Sequence, residues 1–139
     1  MKDILVDTDL LVYAINDSNE LYNKKSRDFI NDNVEYLVIS DQNINEALRI
    51  LTHPVFKKRL TVTKALNAVK KITDECTQIV PNISTRDTFY KLVKKYCIDS
   101  NRIYDAYLVA TMLTNGVHLI ATFDKKGFSC FDEVQIMEL

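Results

Sequence analysis

Residues 4–15, ILVDTDLLVYAI, indicate the fold class because an apolar run is followed by an acid and then by apolar residues at helical spacing. Ile4–Val6 is a short apolar run that is typical of a buried strand. From Thr8 to Ile15 the apolar residues recur at helical spacing, and Asp7 stands between the two elements. The stretch therefore predicts a strand followed by a helix, with a carboxylate at the end of the strand.

Strands and helices alternate along the rest of the chain, which has 139 residues and only two glycines and two prolines. Four more strands are predicted, at Tyr36–Ile39, Thr77–Val80, His118–Ala121 and Val134–Met137. Five more helices are predicted, at Glu20–Asn33, Asp41–Thr52, Thr63–Cys76, Ser84–Cys97 and Asn101–Leu113. The predicted apolar stripe of the helix at Thr63–Cys76 comprises Ala65, Leu66, Val69 and Ile72. This alternation predicts an α/β fold with a central, mainly parallel sheet of about five strands flanked by helices. No linker or repeat divides residues 1–139, so we expect a single domain.

Composition and charge narrow the possible functions. With 18 Lys and Arg against 19 Asp and Glu, the formal net charge is −1, which argues against nucleic-acid binding through a broad basic surface. No apolar run approaches the roughly 18 residues of a membrane span, and the N-terminus MKDILVD lacks a signal-peptide layout. We therefore expect a cytoplasmic protein with no membrane partner. Cys76, Cys97 and Cys130 form no CxxC pair, which predicts reduced thiols rather than a zinc site or disulfides.

Asp105 is the acid that is hardest to explain as a structural residue. The segment Asn101–Leu113 reads NRIYDAYLVATML, which is apolar nearly all the way round when it is placed on a helix. Leu108, Val109 and Met112 share the face of Asp105. Burying a lone carboxylate there costs roughly several kcal/mol, so the group must be protonated, paired with a base or bound to a cation. The candidate bases are Arg49 and Arg102.

Four further acids are candidates for the same site. Asp7 and Asp124 follow predicted strands, and ligands of parallel α/β folds bind beyond the carboxyl ends of the strands. Asp9 and Glu46 lie on predicted helices. Carboxylate oxygens are hard ligands that suit Mg²⁺ or Mn²⁺, and a divalent cation offsets the repulsion between converging acids. Metal sites of this kind activate water for the cleavage of phosphodiesters.

Each of these four acids also has a structural alternative. Asp7 could simply cap the helix that follows it. Asp9 lies in the first turn of that helix, where the helix dipole favours an acid. Glu46 points away from the apolar stripe of its own helix and could be a solvated glutamate, and Asp124 begins the turn-like sequence DKKG.

Four stretches, taken together, resemble the PIN domain family and in particular its VapC-type toxins. They are VDTDLLVYAI (6–15), NEALRIL (45–51), YDAYLVATML (104–113) and ATFDKKGF (121–128). The stretches occur in the order of the family motifs, and each has the expected place relative to a strand or helix. The resemblance covers essentially the whole chain and implies a PIN-like fold.

The resemblance also implies an activity and the residues that carry it. Mg²⁺- or Mn²⁺-dependent cleavage of single-stranded RNA is the implied reaction, with a metal-activated water as the nucleophile. The implied partners are the RNA substrate, a cognate antitoxin protein and a second copy of the chain. The implied catalytic carboxylates and metal ligands are Asp7, Glu46, Asp105 and Asp124. The implied supporting residues are Thr8, Asp9 and Thr122. Basic residues beside these acids could contact phosphate or could be solvated charges: Arg49, Arg102, Lys125 and Lys126.

Three other functions compete with a toxin ribonuclease. The chain could be a PIN-domain nuclease of RNA processing, or a catalytically inactive module that binds RNA or protein. It could also be a phosphatase of the haloacid dehalogenase type, which begins with D-x-D after a strand as Asp7 and Asp9 do. The phosphatase pattern fits poorly, because Leu11 replaces the usual Thr or Val and Asp124 is a lone acid in its loop.

Overall fold

A computed structural model of the chain, which describes residues 2–139, has an α/β architecture. The strands are β1 (Ile4–Val6), β2 (Leu37–Ser40), β3 (Thr77–Ile79), β4 (Leu119–Ala121) and β5 (Gln135–Met137). The helices are α1 (Thr8–Ile15), α2 (Glu20–Asp32), α3 (Asp41–Leu51), α4 (Val62–Thr73), α5 (Thr85–Tyr96), α6 (Arg102–Thr114) and α7 (Lys125–Phe128). A short 3-10 turn at Val34–Tyr36 precedes β2. The predicted α/β class is therefore confirmed.

The five strands form one parallel sheet in the order β3-β2-β1-β4-β5. The predicted parallel sheet of about five strands is thus confirmed. β1 lies at the centre, where Leu5 pairs with Val38 of β2 on one side and with Ile120 of β4 on the other. After β1, the strands β2 and β3 extend the sheet on one side, and the later strands β4 and β5 extend it on the other side. Connections that diverge in this way leave a crevice at the carboxyl ends of β1 and β4, where ligands of such sheets bind.

Two apolar clusters cover the two faces of the sheet. Because side chains alternate along a strand, Leu5 of β1 packs into one cluster while Ile4 and Val6 pack into the other. The Leu5 cluster includes Val109 of α6, and the opposite cluster includes Leu10 of α1. All three β1 residues are buried, which explains why this strand is an uninterrupted apolar run.

One alternative and one prediction from the sequence differ from the structure. The sequence DKKG, which could have made Asp124 a turn residue, lies at the start of α7, because the Asp124 side chain accepts a hydrogen bond from the Gly127 N–H and caps a helical turn. Leu66, expected in the buried stripe of α4, is 50% exposed, while its neighbours Ala65 and Val69 are buried. The buried face of α4 therefore includes fewer residues than the apolar stripe predicted from the sequence.

The α6 helix also differs from its predicted environment. Leu108, Val109 and Met112 are buried as expected, but Asp105 is partly exposed and Tyr104 is 64% exposed. The exposed positions lie in the first turn of α6, at the end that carries the carboxylate. The expected buried environment of Asp105 is therefore only partly realised, because an apolar helix can be covered along most of its length and open at one end. No helix within residues 2–139 is long and apolar enough to cross a membrane.

Candidate functional site

Asp7 lies at the junction of β1 and α1 and is buried, with 9% of its surface exposed. Its Oδ1 accepts a hydrogen bond of 2.8 Å from the Thr8 N–H, so the side chain caps α1. Its Oδ2 accepts a second bond, of 2.7 Å, from the Thr122 hydroxyl at the end of β4. Asp7 therefore caps α1, as the structural alternative suggested, and it also accepts a hydrogen bond from a residue beyond that helix. Both oxygens are fixed at the crevice between the two central strands.

Asp9 joins the first turn of α1 to the loop that follows β4. Its Oδ2 accepts hydrogen bonds from the Phe123 N–H at 3.1 Å and from the Thr122 hydroxyl at 3.4 Å. Its Oδ1 is buried and has no hydrogen-bond partner in the part of the chain that the structure describes. Asp9 is thus more than a first-turn acid, since it anchors the loop that leads to Asp124 and keeps one acceptor oxygen without a donor.

Glu46 is held in place by neighbours on two helices and is not a freely solvated glutamate. Its Oε2 accepts a hydrogen bond of 3.0 Å from the Thr8 hydroxyl, and its Oε1 accepts one of 3.1 Å from the Gln42 side-chain amide. The same amide group donates to the Tyr104 carbonyl at 3.1 Å, which ties α3 to the first turn of α6. These contacts bring the carboxylate of α3 beside the residues that flank Asp105.

A buried polar network, which the sequence pattern did not reveal, lies behind Glu46. The Ser40 hydroxyl donates to Asn43 Oδ1 at 2.6 Å, and Asn43 Nδ2 donates to the Thr8 hydroxyl at 3.1 Å. Ser40 and Asn43 are fully buried, and Ser40 is the N-cap of α3. The cap could be predicted from the sequence, but the Asn43 contact could not, because it joins residues 35 positions apart. The network aims the Thr8 hydroxyl at Glu46.

Asp124 and Asp105 face the same small space beside Gly127. Asp124 Oδ1 accepts a hydrogen bond of 3.1 Å from the Gly127 N–H, and the Asp124 N–H donates to the Thr122 hydroxyl at 2.9 Å. A Cβ atom built on Gly127 would collide with the Asp124 carboxylate and would lie 3.3 Å from Asp105 Oδ2. The two carboxylates, from the loop after β4 and from α6, are therefore neighbours.

Burial and neighbouring charges raise the pKa values of three of these acids. The pKa of Asp7 rises to about 7, first through burial and then through the charge of Asp9, with a smaller contribution from Asp105. Burial is also the first cause of the raised pKa of Asp9, to which the charge of Asp124 contributes. The pKa of Asp105 rises to about 6 through burial and the charge of Asp124, with a smaller contribution from Glu46. All five acids are thus electrostatically linked.

The predicted basic residues do not neutralise this site. None of the four ion pairs found within residues 2–139 includes Asp105, so the buried ion pair considered for it is not formed. The Arg102 guanidinium opposes the rise in the pKa of Asp105, but it donates its hydrogen bond to Cys130 Sγ at 2.7 Å. Lys125 pairs with Glu138 at 2.9 Å. The remaining two basic candidates, Arg49 and Lys126, are exposed.

The donor atoms of the site are suited to a divalent cation, but the distances between the side chains are too long for three of them to bind one ion together. The donors are hard carboxylate oxygens, three of the acids have raised pKa values, and Asp9 Oδ1 is buried without a donor. Across the described chain, no three acidic, histidine or cysteine side chains lie close enough to hold one metal ion together. Ligation by three of these carboxylates would therefore require them to move closer to one another.

The parallel α/β fold thus places electrostatically linked acids of α1, α3 and α6 near Asp7 and Asp124, which follow β1 and β4. The PIN domain family model matches residues 4–135, so the chain belongs to the PIN domain family. The predicted resemblance to this family is confirmed, and membership excludes the haloacid dehalogenase phosphatase. No curated protein sequence matches the chain.

Solved structures of VapC toxins share this fold. VapC20 of Mycobacterium tuberculosis, a sarcin-ricin loop cleaving toxin, is 15% identical with a TM-score of 0.72, and the match covers 95% of this chain and 98% of that one. The VapBC2 structure from Rickettsia felis is 14% identical with a TM-score of 0.71 and 96% coverage of both chains. The VapBC structure from Salmonella typhimurium is 16% identical with a TM-score of 0.71, covering 99% of this chain and 98% of that one. At these identities the similarity establishes the fold.

Proposed function

We propose that residues 1–139 form a single-domain, metal-dependent endoribonuclease that cleaves single-stranded RNA and acts as the toxin of a toxin–antitoxin pair. The observation that carries the proposal is the set of acids near the carboxyl ends of β1 and β4, where burial first and neighbouring carboxylate charges second raise the pKa of Asp7 to about 7 and that of Asp105 to about 6. Perturbed carboxylates in a cleft are typical of functional sites. Membership of the PIN domain family adds support.

Four of the acids would be metal ligands in the proposed site: Asp7, Glu46, Asp105 and Asp124. Mg²⁺ or Mn²⁺ bound there supplies a water of lowered pKa and neutralises charge on the phosphate. The Thr122 hydroxyl and the Thr8 N–H hold the two oxygens of Asp7, and the Thr8 hydroxyl holds Glu46. These donors keep the carboxylates oriented, so that fewer side-chain motions are needed when a phosphodiester binds.

Recognition of RNA would be local rather than spread over the surface. The net charge of −1 offers no broad basic field, so we propose that a few cations near the acids contact phosphates. The candidates are Arg49, Arg102, Lys125 and Lys126. Arg102 lies one turn before Asp105, and Lys125 directly follows Asp124, which supports these two for the role.

Cleavage of a single-stranded RNA with and without Mn²⁺ tests the proposal. Wild-type protein should cut only with the metal, and Asp7→Asn or Asp105→Asn should reduce the rate by at least ~100-fold, since each removes a ligand charge. Asp87→Asn, an exposed acid in the first turn of α5, is the matched control and should cut at the wild-type rate. Equal rates for wild type and Asp105→Asn would refute the site. Wild type that binds RNA without cutting it would identify an inactive binding module.

The VapBC structures from Rickettsia felis and Salmonella typhimurium support an antitoxin as the partner. We propose that an apolar segment of this antitoxin covers the open groove between α2 and α4. Its apolar lining comprises Ala14, Ile15, Ile30, Val34, Ala68 and Ile72.

Growth arrest on expression, relieved by co-expressing the protein of a neighbouring gene, would distinguish a toxin from an RNA-processing nuclease. We also propose that the chain forms a homodimer, and the molar mass of the purified chain from light scattering tests this.

A further inference from the structure

The chain contains only two glycines, and they are glycines for different reasons. Gly116, at the end of α6, has a φ of 73°, a left-handed conformation that disfavours any side chain. A Cβ atom on Gly116 would meet nothing within 4 Å. Gly127 lies inside α7, and its backbone suits any L-amino acid. The reason for a glycine at position 127 must therefore lie in its surroundings.

The Asp124 carboxylate occupies the space where a side chain of residue 127 would stand, and the Asp105 carboxylate borders that space. A Cβ atom on Gly127 would overlap the Asp124 carboxylate, with Asp124 Cγ at 3.0 Å, and would lie 3.3 Å from Asp105 Oδ2. The Gly127 N–H donates a hydrogen bond of 3.1 Å to the other Asp124 oxygen, Oδ1. Gly127 thus fixes one oxygen of Asp124 and leaves room for the second oxygen to turn toward Asp105.

We propose that Gly127 is a positioning residue that holds the Asp124 carboxylate opposite Asp105, so that both can serve one cation. This inference rests on the proposed function. The smallest possible side chain would push the flexible Asp124 carboxylate out of the shared space, while the backbone of α7 would accept the methyl group. Gly127 therefore acts on the site through Asp124, without touching the substrate.

Calorimetric titration of the whole chain with Mn²⁺, paired with urea unfolding, tests the proposal. Gly127→Ala should weaken Mn²⁺ binding by ~10-fold or more, the effect typical of lost support for a ligand, and should leave the urea midpoint unchanged or higher, since alanine is favoured in helices. Gly116→Ala is the control with the opposite pattern. It should lower the midpoint, because of its positive φ, and leave Mn²⁺ affinity unchanged.

A double-variant cycle shows whether the effect passes through Asp124. In an Asp124→Ala background the collision is gone, so Gly127→Ala should cause no further loss of Mn²⁺ affinity. Failure of Gly127→Ala to fold, or a lowered urea midpoint, would make Gly127 a residue of α7 stability and overturn the positioning role. Mn²⁺ affinity of Gly127→Ala within twofold of wild type would overturn the inference and leave the proposed nuclease intact. Absence of Mn²⁺ binding and RNA cleavage in wild type would overturn the proposed function together with this inference.

Discussion

Replacing Asp7 with asparagine should make the metal-free protein more stable at pH 8 while removing the proposed RNA cleavage. Asp7 is 9% exposed, and its pKa rises from 3.8 to about 7, first through burial and then through the charge of Asp9. The native state therefore holds the proton on this group more tightly than the unfolded chain does. Between pH 3.8 and about 7 the stability associated with Asp7 is progressively lost as the pH rises, because the native carboxylate must ionise in an unfavourable place.

The magnitude follows from the pKa values. Ionising a group whose pKa moves from 3.8 to about 7 on folding costs roughly 4 kcal/mol at pH 8. An asparagine avoids this cost but weakens the hydrogen bonds from the Thr8 N–H and the Thr122 hydroxyl, a loss of roughly 1–2 kcal/mol. The net gain for Asp7→Asn is therefore about 2 kcal/mol, which corresponds to a rise of about 1 M in the urea midpoint.

Urea unfolding in EDTA at pH 4 and at pH 8 measures the effect. The advantage of Asp7→Asn should be present at pH 8 and absent at pH 4, where Asp7 is protonated in the native state. Adding Mn²⁺ at pH 8 should stabilise wild type and leave the variant unchanged, since ligand binding stabilises only a native state that binds it. Asp87→Asn, which makes the same charge change at an exposed position, should change the midpoint little at either pH. A lower midpoint for Asp7→Asn at pH 8 in EDTA would refute the reasoning.

Three further predictions concern the surroundings of the acids. Thr122→Val removes a hydrogen bond that lowers the pKa of Asp7. The acid limb of the pH–rate profile for RNA cleavage should therefore move to higher pH, and an unmoved limb would count against the role of Thr122 in setting the pKa of Asp7. Asn43→Ala removes a fully buried amide from a satisfied network and should lower the free energy of unfolding by about 1–3 kcal/mol in urea titrations, whereas a change below ~0.5 kcal/mol would mean that the network contributes little. Lys125→Ala breaks a single exposed ion pair with Glu138 and should leave the urea midpoint unchanged, while RNA binding in low salt weakens; unchanged binding would remove this lysine from the substrate site.

The fold was predictable because its signals are local and repeated. The strands β1, β2 and β4 are short, mainly apolar runs, and most of the longer helices have a regular apolar stripe, so the sheet and the positions of Asp7 and Asp124 at strand ends could be predicted. The identity of α6 was equally clear from its apolar residues. The same pattern gave the wrong exposure for Asp105, because periodicity shows that a helix is covered but not where the covering elements end.

The support of the site could not be predicted, because it depends on contacts between distant residues. Asn43 reaches Thr8 across 35 positions, and Thr122 reaches Asp7 across 115. Gly127 looked like a turn glycine, since a DKKG sequence favours a turn. Its relation to Asp105 exists only after α6 and α7 pack together. Residues that position a site through tertiary contacts thus leave little trace in a single sequence.

A crystal structure with Mn²⁺, located by anomalous diffraction, tests the central claim most directly. We expect an anomalous peak in the crevice between β1 and β4, with carboxylate oxygens of Asp7, Asp105 and Asp124 drawn to within roughly 2.0–2.3 Å of the ion. Crystals of Asp105→Asn grown in the same way should show a much weaker peak. Mn²⁺ bound elsewhere, or wild-type crystals without a peak at these carboxylates, would contradict the assignment of this site.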